Sequence, residues 1–306
     1  MLEYFNRWGG TNLDDELVKL GILPKPISEF TDADIGSTIL IPYNDESGKI
    51  LLNDGCIEFE VVGVNHHKDI SDESKPTITL MTKNIIRYAA FDAKEPNNPL
   101  IDSYWETKER DTGGNNRWLV SNIRQWLNSE GAAGEWFTPQ HDYDEAPTID
   151  KVNDYYKNKK GAYADDPGFL VGFSNEIKQH FATVRNKTIL CYEDKLSLSK
   201  NFEETEDRAF LPSYTEMGFG NLDDNNPEGS HLAKRFTDYE SRVKSGAVTD
   251  VPNCWYWMRT PIIYHANASS ELLYVGGDGW APIHQASQSH IRHRSAYSSP
   301  LKIKKL

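Results

Sequence analysis

Few residues in this chain are of the kinds that cross-link or cross a membrane. Three of the 306 are cysteine (Cys56, Cys191 and Cys254). They are too few and too scattered for a disulfide framework or a zinc site, and an odd number fits a reducing compartment. The first ten residues carry no apolar stretch of the secretory kind. No run approaches the ~20 apolar residues of a membrane span, so a soluble protein without an export signal of its own is expected. Positive charge is scarce as well: 33 Lys and Arg stand against 46 Asp and Glu, a net charge of −13. That balance argues against a nucleic-acid partner, whose phosphates need a basic face. Catalytic signatures are missing too. There is no Gly-x-Ser-x-Gly, Cys-x-x-Cys or His-Glu-x-x-His. The Gly276-Gly277-Asp278-Gly279 run is too short for a phosphate loop and reads as a hairpin turn. His66 and His67 would point opposite ways on a strand, with no Cys or carboxylate at ligand spacing. Asp223-Asp224-Asn225-Asn226 with Glu228 is rich in oxygen but lacks the alternation of a calcium loop, and a solvated turn is expected there. No metal, cofactor or catalytic residue is expected.

Aromatic bulk is what the chain does have. Apolar residues make up 38%, but 8 Trp, 15 Tyr and 12 Phe are among them, so the core is expected to be largely aromatic. The densest stretch is Cys254-Trp255-Tyr256-Trp257-Met258-Arg259-Thr260-Pro261. As a strand it sends Trp255 and Trp257 to one face, Tyr256 and Met258 to the other, and so needs cover on both. Trp126, Trp255, Trp257 and Arg259 are accordingly expected to be structural. Arg259 should find carboxylate or carbonyl partners, because a lone buried charge is costly.

Residues 38–41 are apolar and β-prone, residues 57–64 begin with period-two alternation, and residues 77–82 are a third strand candidate. Short turns and no intervening helix between them imply antiparallel pairing. Asn12 heads a short helix over residues 13–20 that Gly21 ends, and Pro24 and Pro26 stiffen the connection after it. Residues 1–30 therefore read as an arm that docks onto another subunit or protein, or else as a terminal helix on its own domain, residues 31–306. Ser121 or Asn122 caps a helix with Ile123, Trp126 and Leu127 on one face. Ser174 caps another bearing Ile177 and Phe181. Residues 142–166 read as a long loop, and Ala209-Phe210-Leu211 as a buried strand.

Residues 264–297 gather aromatic, amide, His and Arg side chains, the types that build recognition surfaces. A polar hairpin on an aromatic core is the alternative. No Asp or Glu occurs from Gly279 onward, where Arg292, Arg294, Lys302, Lys304 and Lys305 join His284, His290 and His293. This basic segment either pairs with the chain's own carboxylates or meets an anionic partner.

Longer motifs run in a fixed order. Trp118 precedes Ser121-Asn122-Ile123-Arg124-Gln125-Trp126-Leu127-Asn128-Ser129; then come Trp136-Phe137, Gly168-Phe169-Leu170, Phe210-Leu211-Pro212-Ser213 and Gly218-Phe219-Gly220-Asn221. Tyr256-Trp257-Met258-Arg259-Thr260-Pro261 and Tyr297-Ser298-Ser299-Pro300 close the series. The series resembles an uncharacterised family of bacterial prophages and tailed phages, often encoded among virion genes. That family is similar to the C-type-lectin-like and formylglycine-generating-enzyme folds. The resemblance implies an α+β fold with a twisted antiparallel sheet, two packed helices and long irregular loops. The formylglycine enzymes use paired cysteines, and Cys254 is isolated, so a non-enzyme is expected. In such folds the last strands form the ligand face, here Tyr264, His265, Tyr274, Asp278, Trp280, His284, Gln288, His290, Arg292 and Arg294. The function implied is a virion-associated receptor-binding or adhesion protein, made in the host cytoplasm. Its partners would be a host surface glycan or wall polymer and, through the N-terminal arm, other virion proteins; a homo-oligomer stays open. The alternative is a structural virion component such as a capsid decoration, neck or baseplate protein.

Overall fold

The structure, a computed structural model, describes residues 13–103, 106–153, 161–245, 255–263 and 269–287. It is an α+β arrangement of three small antiparallel sheets joined by long irregular segments and short helices. The first sheet has strands β1 (Thr38–Pro42), β2 (Cys56–Val64) and β3 (Ile78–Thr82), in that order. In β1 burial alternates strictly, so Ile39 and Ile41 face inward, each contributing about 1.5–3 kcal/mol by leaving water. β2 is irregular: its register with β3 shifts between Val61 and Gly63. The bulge leaves Val61 in the main core and Val62 in a second one, so both faces of the sheet are covered.

The helices are short. α1 (Leu13–Lys19) ends at Gly21, whose φ of +71° is one glycine tolerates, and the amides of Ile22 and Leu23 both bond the Leu17 carbonyl. Leu17, Leu23 and Phe30 are buried in the same core as β1 and β2. α2 spans Glu109–Gly113 and α3 Asn122–Leu127. The Ser121 hydroxyl caps α3 by accepting from the Arg124 amide, and Ile123 and Trp126 are buried. α4 (Asn175–Lys178) begins after Ser174, which makes no side-chain cap, and buries Ile177. Two further strands, β4 (Val184–Ile189) and β5 (Phe202–Asp207), flank α5 (Tyr192–Leu198) and form the second sheet.

Residues 209–211 are not a strand. Asn128 meets the first of them by side chain: its Oδ1 accepts from the amides of Arg208 and Ala209, and its Nδ2 donates to the Ala209 carbonyl. His66 and His67 lie beyond the end of β2, and their rings meet edge to face at 4.7 Å rather than on opposite faces. The 142–166 segment carries neither helix nor strand among its described residues.

The third sheet holds β6 (Tyr256–Pro261), β7 (Glu271–Val275) and β8 (Ile283–Gln285). Trp257 packs on the main core, while Tyr256 and Met258 pack on the second, as the alternation predicts. β7 divides the same way, with Leu272 in the main core and Leu273 and Val275 in the second. α6 (Tyr239–Arg242) lies beside the tip of the β7–β8 turn. Among the described residues no helix is long and apolar enough to cross a membrane.

Candidate functional site

The turn between β7 and β8 is tied by the Gly276 amide to the Trp280 carbonyl at 2.7 Å and by the Gly279 amide to the Gly276 carbonyl. The Asp278 carboxylate accepts from the Trp280 amide at 3.2 Å, so Asp278 shapes the turn. Gly279 has φ +79°, and a Cβ there would fall 1.9 Å from the Tyr239 carbonyl oxygen. Only glycine lets the tip lie this close to α6. The approach places Trp280 on Tyr239, ring centroids 5.2 Å apart and planes within 17°. Trp280 is nevertheless 58% exposed and Tyr239 46%, with exposed Ile283 on the adjoining strand.

Tyr239 is held firmly. Asp238 and Ser241 form a reciprocal capping box at the start of α6. Arg242 donates from Nε to the Met217 carbonyl at 2.6 Å and from Nη2 to the Gly218 carbonyl, and lies over the Phe219 ring. The outcome is a rigid, solvent-facing aromatic platform built from residues 41 positions apart. Nothing in local patterning pairs them; the only signal was a turn-proximal Trp.

Of the ten residues expected to bind ligand, Asp278 and Trp280 sit together at this tip. Tyr274 is buried instead, its ring 4.8 Å from Trp255 and edge-on to Trp257. It faces inward because register places it opposite Trp257. The His284 backbone pairs with Leu272 in β8. Tyr264, His265, Gln288, His290, Arg292 and Arg294 lie outside the described residues.

Beneath the third sheet, Arg259 is 1% exposed and meets Glu216 in a bidentate pair, both contacts 2.8 Å. Its Nη1 also donates to the Leu211 carbonyl at 2.7 Å. Glu216 accepts further from the Ser213 amide and from His67 Nε2 at 3.1 Å, while His67 Nδ1 lies 2.9 Å from the Thr79 hydroxyl. Burial alone would raise the Glu216 carboxyl; Arg259 and His67 outweigh it and hold it far below the usual range. Its neighbour Glu228, bonded to Thr260 and to the Ile189 amide, is pushed up to about 7 by burial that Arg259 only partly offsets.

A second buried centre joins Asp92, Glu95, Asp144 and His141. His141 Nε2 is 3.0 Å from Glu95, and the Asn115 and Asn98 amides donate to the same carboxylate. Asp92 accepts from the Asn115 and Asn122 backbone amides. Burial and then Glu95 and Asp144 raise Asp92 well above the usual carboxylate range. Among the described residues no group of three or more His, Cys, Asp or Glu side chains is arranged to hold a metal. Asp223 forms a local turn, accepting from the Asn225 amide and the Asn226 side chain.

A cleft of about 660 Å³ opens beside β3 and β6, lined by Phe59, Leu80, Phe181, Phe210, Trp255 and Trp257 among others, with His67 and Glu216 also on its wall. The half-buried state of Trp255 and Trp257 traces to this opening.

One family pattern, described as Domain of unknown function (DUF6273), matches residues 77–297, more than half of the chain. The matched stretch runs from the start of β3 through the aromatic platform and leaves β1 and β2 outside it. No curated protein and no solved structure matches.

Proposed function

The chain belongs to the DUF6273 family, and we propose that it is a non-catalytic binding protein whose platform of Trp280 and Tyr239 stacks on a glycan or wall polymer of a bacterial host. The carrying observation is the stacked, exposed aromatic pair fixed by Gly279 and Arg242. An exposed Trp held rigid offers a broad apolar face at little entropic cost, the property that makes Trp and Tyr anchors at recognition surfaces. The apolar faces of a sugar ring suit such a platform. The basic residues from Arg292 onward would hold anionic groups on the same polymer. The setting proposed, a phage virion protein with a lectin-like domain, rests on the motif order Trp118 to Pro261 and its resemblance to prophage-encoded proteins.

The test is binding of the full chain to isolated bacterial cell walls and wall glycans at low and high salt. Saturable binding that Trp280→Ala weakens by about tenfold, with unchanged thermal unfolding, supports the reading. Binding that ignores the substitution overturns the platform. No binding at either salt, with retention on virion proteins instead, would make the chain a structural virion component. Release of reducing sugar would make it an enzyme.

A further inference from the structure

We propose that Lys244 is a reactive amine on the wall of the cleft beside β3 and β6, where it binds an aldehyde or ketone of apolar body as a reversible imine. The inference is independent of the platform.

Three observations carry it. First, the Lys244 side chain is buried without an acid beside it. It follows α6 and is 4% exposed. Its Nζ donates to the carbonyl of Thr82, at the end of β3, and at 3.3 Å to the carbonyl of Lys83. Lys25, Lys49, Lys151, Lys178 and Lys234 each meet a carboxylate within 4.0 Å, but no described carboxylate lies that close to Lys244. Glu60 on β2 acts on it only from farther away and is bonded to Arg235 Nε at 2.7 Å. An ammonium carries three N–H donors, whereas a neutral amine carries two and keeps a lone pair. Two described acceptors suit the neutral form.

Second, the surroundings favour that form. Burial pushes the amine from 10.5 down to about 8, with Glu60 opposing the shift and Arg235 adding to it. On β6 the facing group is Tyr256, its ring centroid 5.9 Å from Nζ and its hydroxyl donating to the Arg242 carbonyl. At pH 7 about one in ten copies of an amine titrating near 8 is neutral, against about one in three thousand for an ordinary lysine. A lysine desolvated in this way is the usual nucleophile for carbonyl compounds.

Third, the amine belongs to a cavity of suitable size and lining. Lys244 shares the wall of the 660 Å³ cleft with Val62, Leu80, Ile85, Leu232 and Tyr256. Small-molecule pockets span about 300–1,000 Å³. Such a wall takes an apolar body and disfavours polar groups that it cannot bond. The carbonyl is the exception, because the amine consumes it. The Nζ lone pair attacks the carbonyl carbon, both amine hydrogens leave with the carbonyl oxygen as water, and a C=N bond remains. A proton from solvent then gives an iminium whose N–H has the Thr82 carbonyl as its acceptor. No oxidant or reductant takes part, and water reverses the step, so the site holds its ligand without converting it.

The experiment treats the full chain with hexanal or with glyceraldehyde in sodium cyanoborohydride at pH 7. Adducts are read residue by residue by peptide mass spectrometry. Hexanal should label Lys244 about tenfold or more above the exposed Lys68 and Lys234, and glyceraldehyde should show no such preference. Excess hexanol, which has the same body and no carbonyl, should suppress labelling at Lys244 alone. Between pH 7 and 9 the ratio of Lys244 to Lys68 labelling should fall, because an amine titrating near 8 saturates first. Equal labelling of the three lysines overturns the proposal, as does a Lys244 that both aldehydes leave unmodified. Labelling of Lys244 that hexanol does not suppress, or that glyceraldehyde matches, overturns the apolar ligand class. Labelling that appears only at temperatures where the chain unfolds counts against the site as well.

Discussion

The two buried charge centres solve one problem by opposite means. Around Arg259 a permanent cation meets Glu216 through two parallel hydrogen bonds, and the carboxylate accepts two more from Ser213 and His67. Around Asp92 no guanidinium among the described residues hydrogen-bonds the carboxylates; Asn side chains, backbone amides and a partly exposed His141 face them. In the first, the Glu216 charge is balanced by a guanidinium that stays charged. In the second, balance depends on protons, and burial raises both Asp92 and Asp144 accordingly. Charge in a protein interior can thus be answered by a residue or by the solvent's pH, and this chain uses both.

The contrast is broken most severely at Arg259. Arg259→Ala strands Glu216 in the core and should cost about 3–5 kcal/mol in a urea unfolding titration. Arg259→Lys should recover only part of that, since an ammonium cannot bond both carboxylate oxygens in parallel.

Glu228 brings proton dependence into the Arg259 centre. Its carboxyl is raised from 4.5 to about 7 in the fold. A raised acid stabilises the fold fully below the unfolded value, and that stability is lost as pH rises through the folded one. Stability should therefore fall between pH 4.5 and 7 by up to about 3 kcal/mol from this group. Glu228→Gln keeps an acceptor for the Ile189 amide, turns the acceptor of the Thr260 hydroxyl into an amide donor, and removes the titrating carboxyl, so it should flatten that fall. Unfolding midpoints measured across the window would show whether it does.

His141 carries a smaller share in the other centre. Burial lowers its pKa, but Glu95 more than reverses this, and the net shift is upward. The contribution is complete below the unfolded value near 6.5 and disappears as pH climbs through the raised one. His141→Gln should remove about 1 kcal/mol at pH 6 and almost nothing at pH 9, read from thermal unfolding at the two pH values. Trp280→Ala bounds the series, expected within about 0.5 kcal/mol of the parent in stability because its ring is mostly in water.

Where pattern and cover coincide, the chain is readable without coordinates. The strands at residues 38–41 and 57–64, a cap at Ser121 or Asn122 (Ser121 in the structure), the 276–279 turn and the carboxylate partner of Arg259 follow from β-propensity, alternation, turn chemistry or the cost of a lone charge. The β4–β5 hairpin does not. Glu203, Thr205 and Asp207 point inward from β5 while Glu204 and Glu206 face water, so the strand is polar on both faces. Its inward residues are matched by Arg117, Arg124 and the Trp118 indole from distant segments. A hydrophobic period cannot register a strand whose buried face is acidic. Residues 209–211 fail in the opposite sense: their apolar run suggests a ladder, but side chains take its place, Asn128 on the Ala209 backbone and Arg259 on the Leu211 carbonyl. Half of the aromatic platform is equally hidden, since Tyr239 becomes a partner of Trp280 only through the close approach at Gly279.

That platform also provides an optical readout. Trp118, Trp126 and Trp136 are shielded from solvent, whereas Trp280 stands mostly in it. A water-borne quencher such as iodide should therefore reach the indole of Trp280 far more readily than those three. Any molecule that settles on the ring would block the quencher and shift the emission to shorter wavelength. Candidate ligands could then be screened by intrinsic fluorescence, with no label attached to the protein or to the ligand.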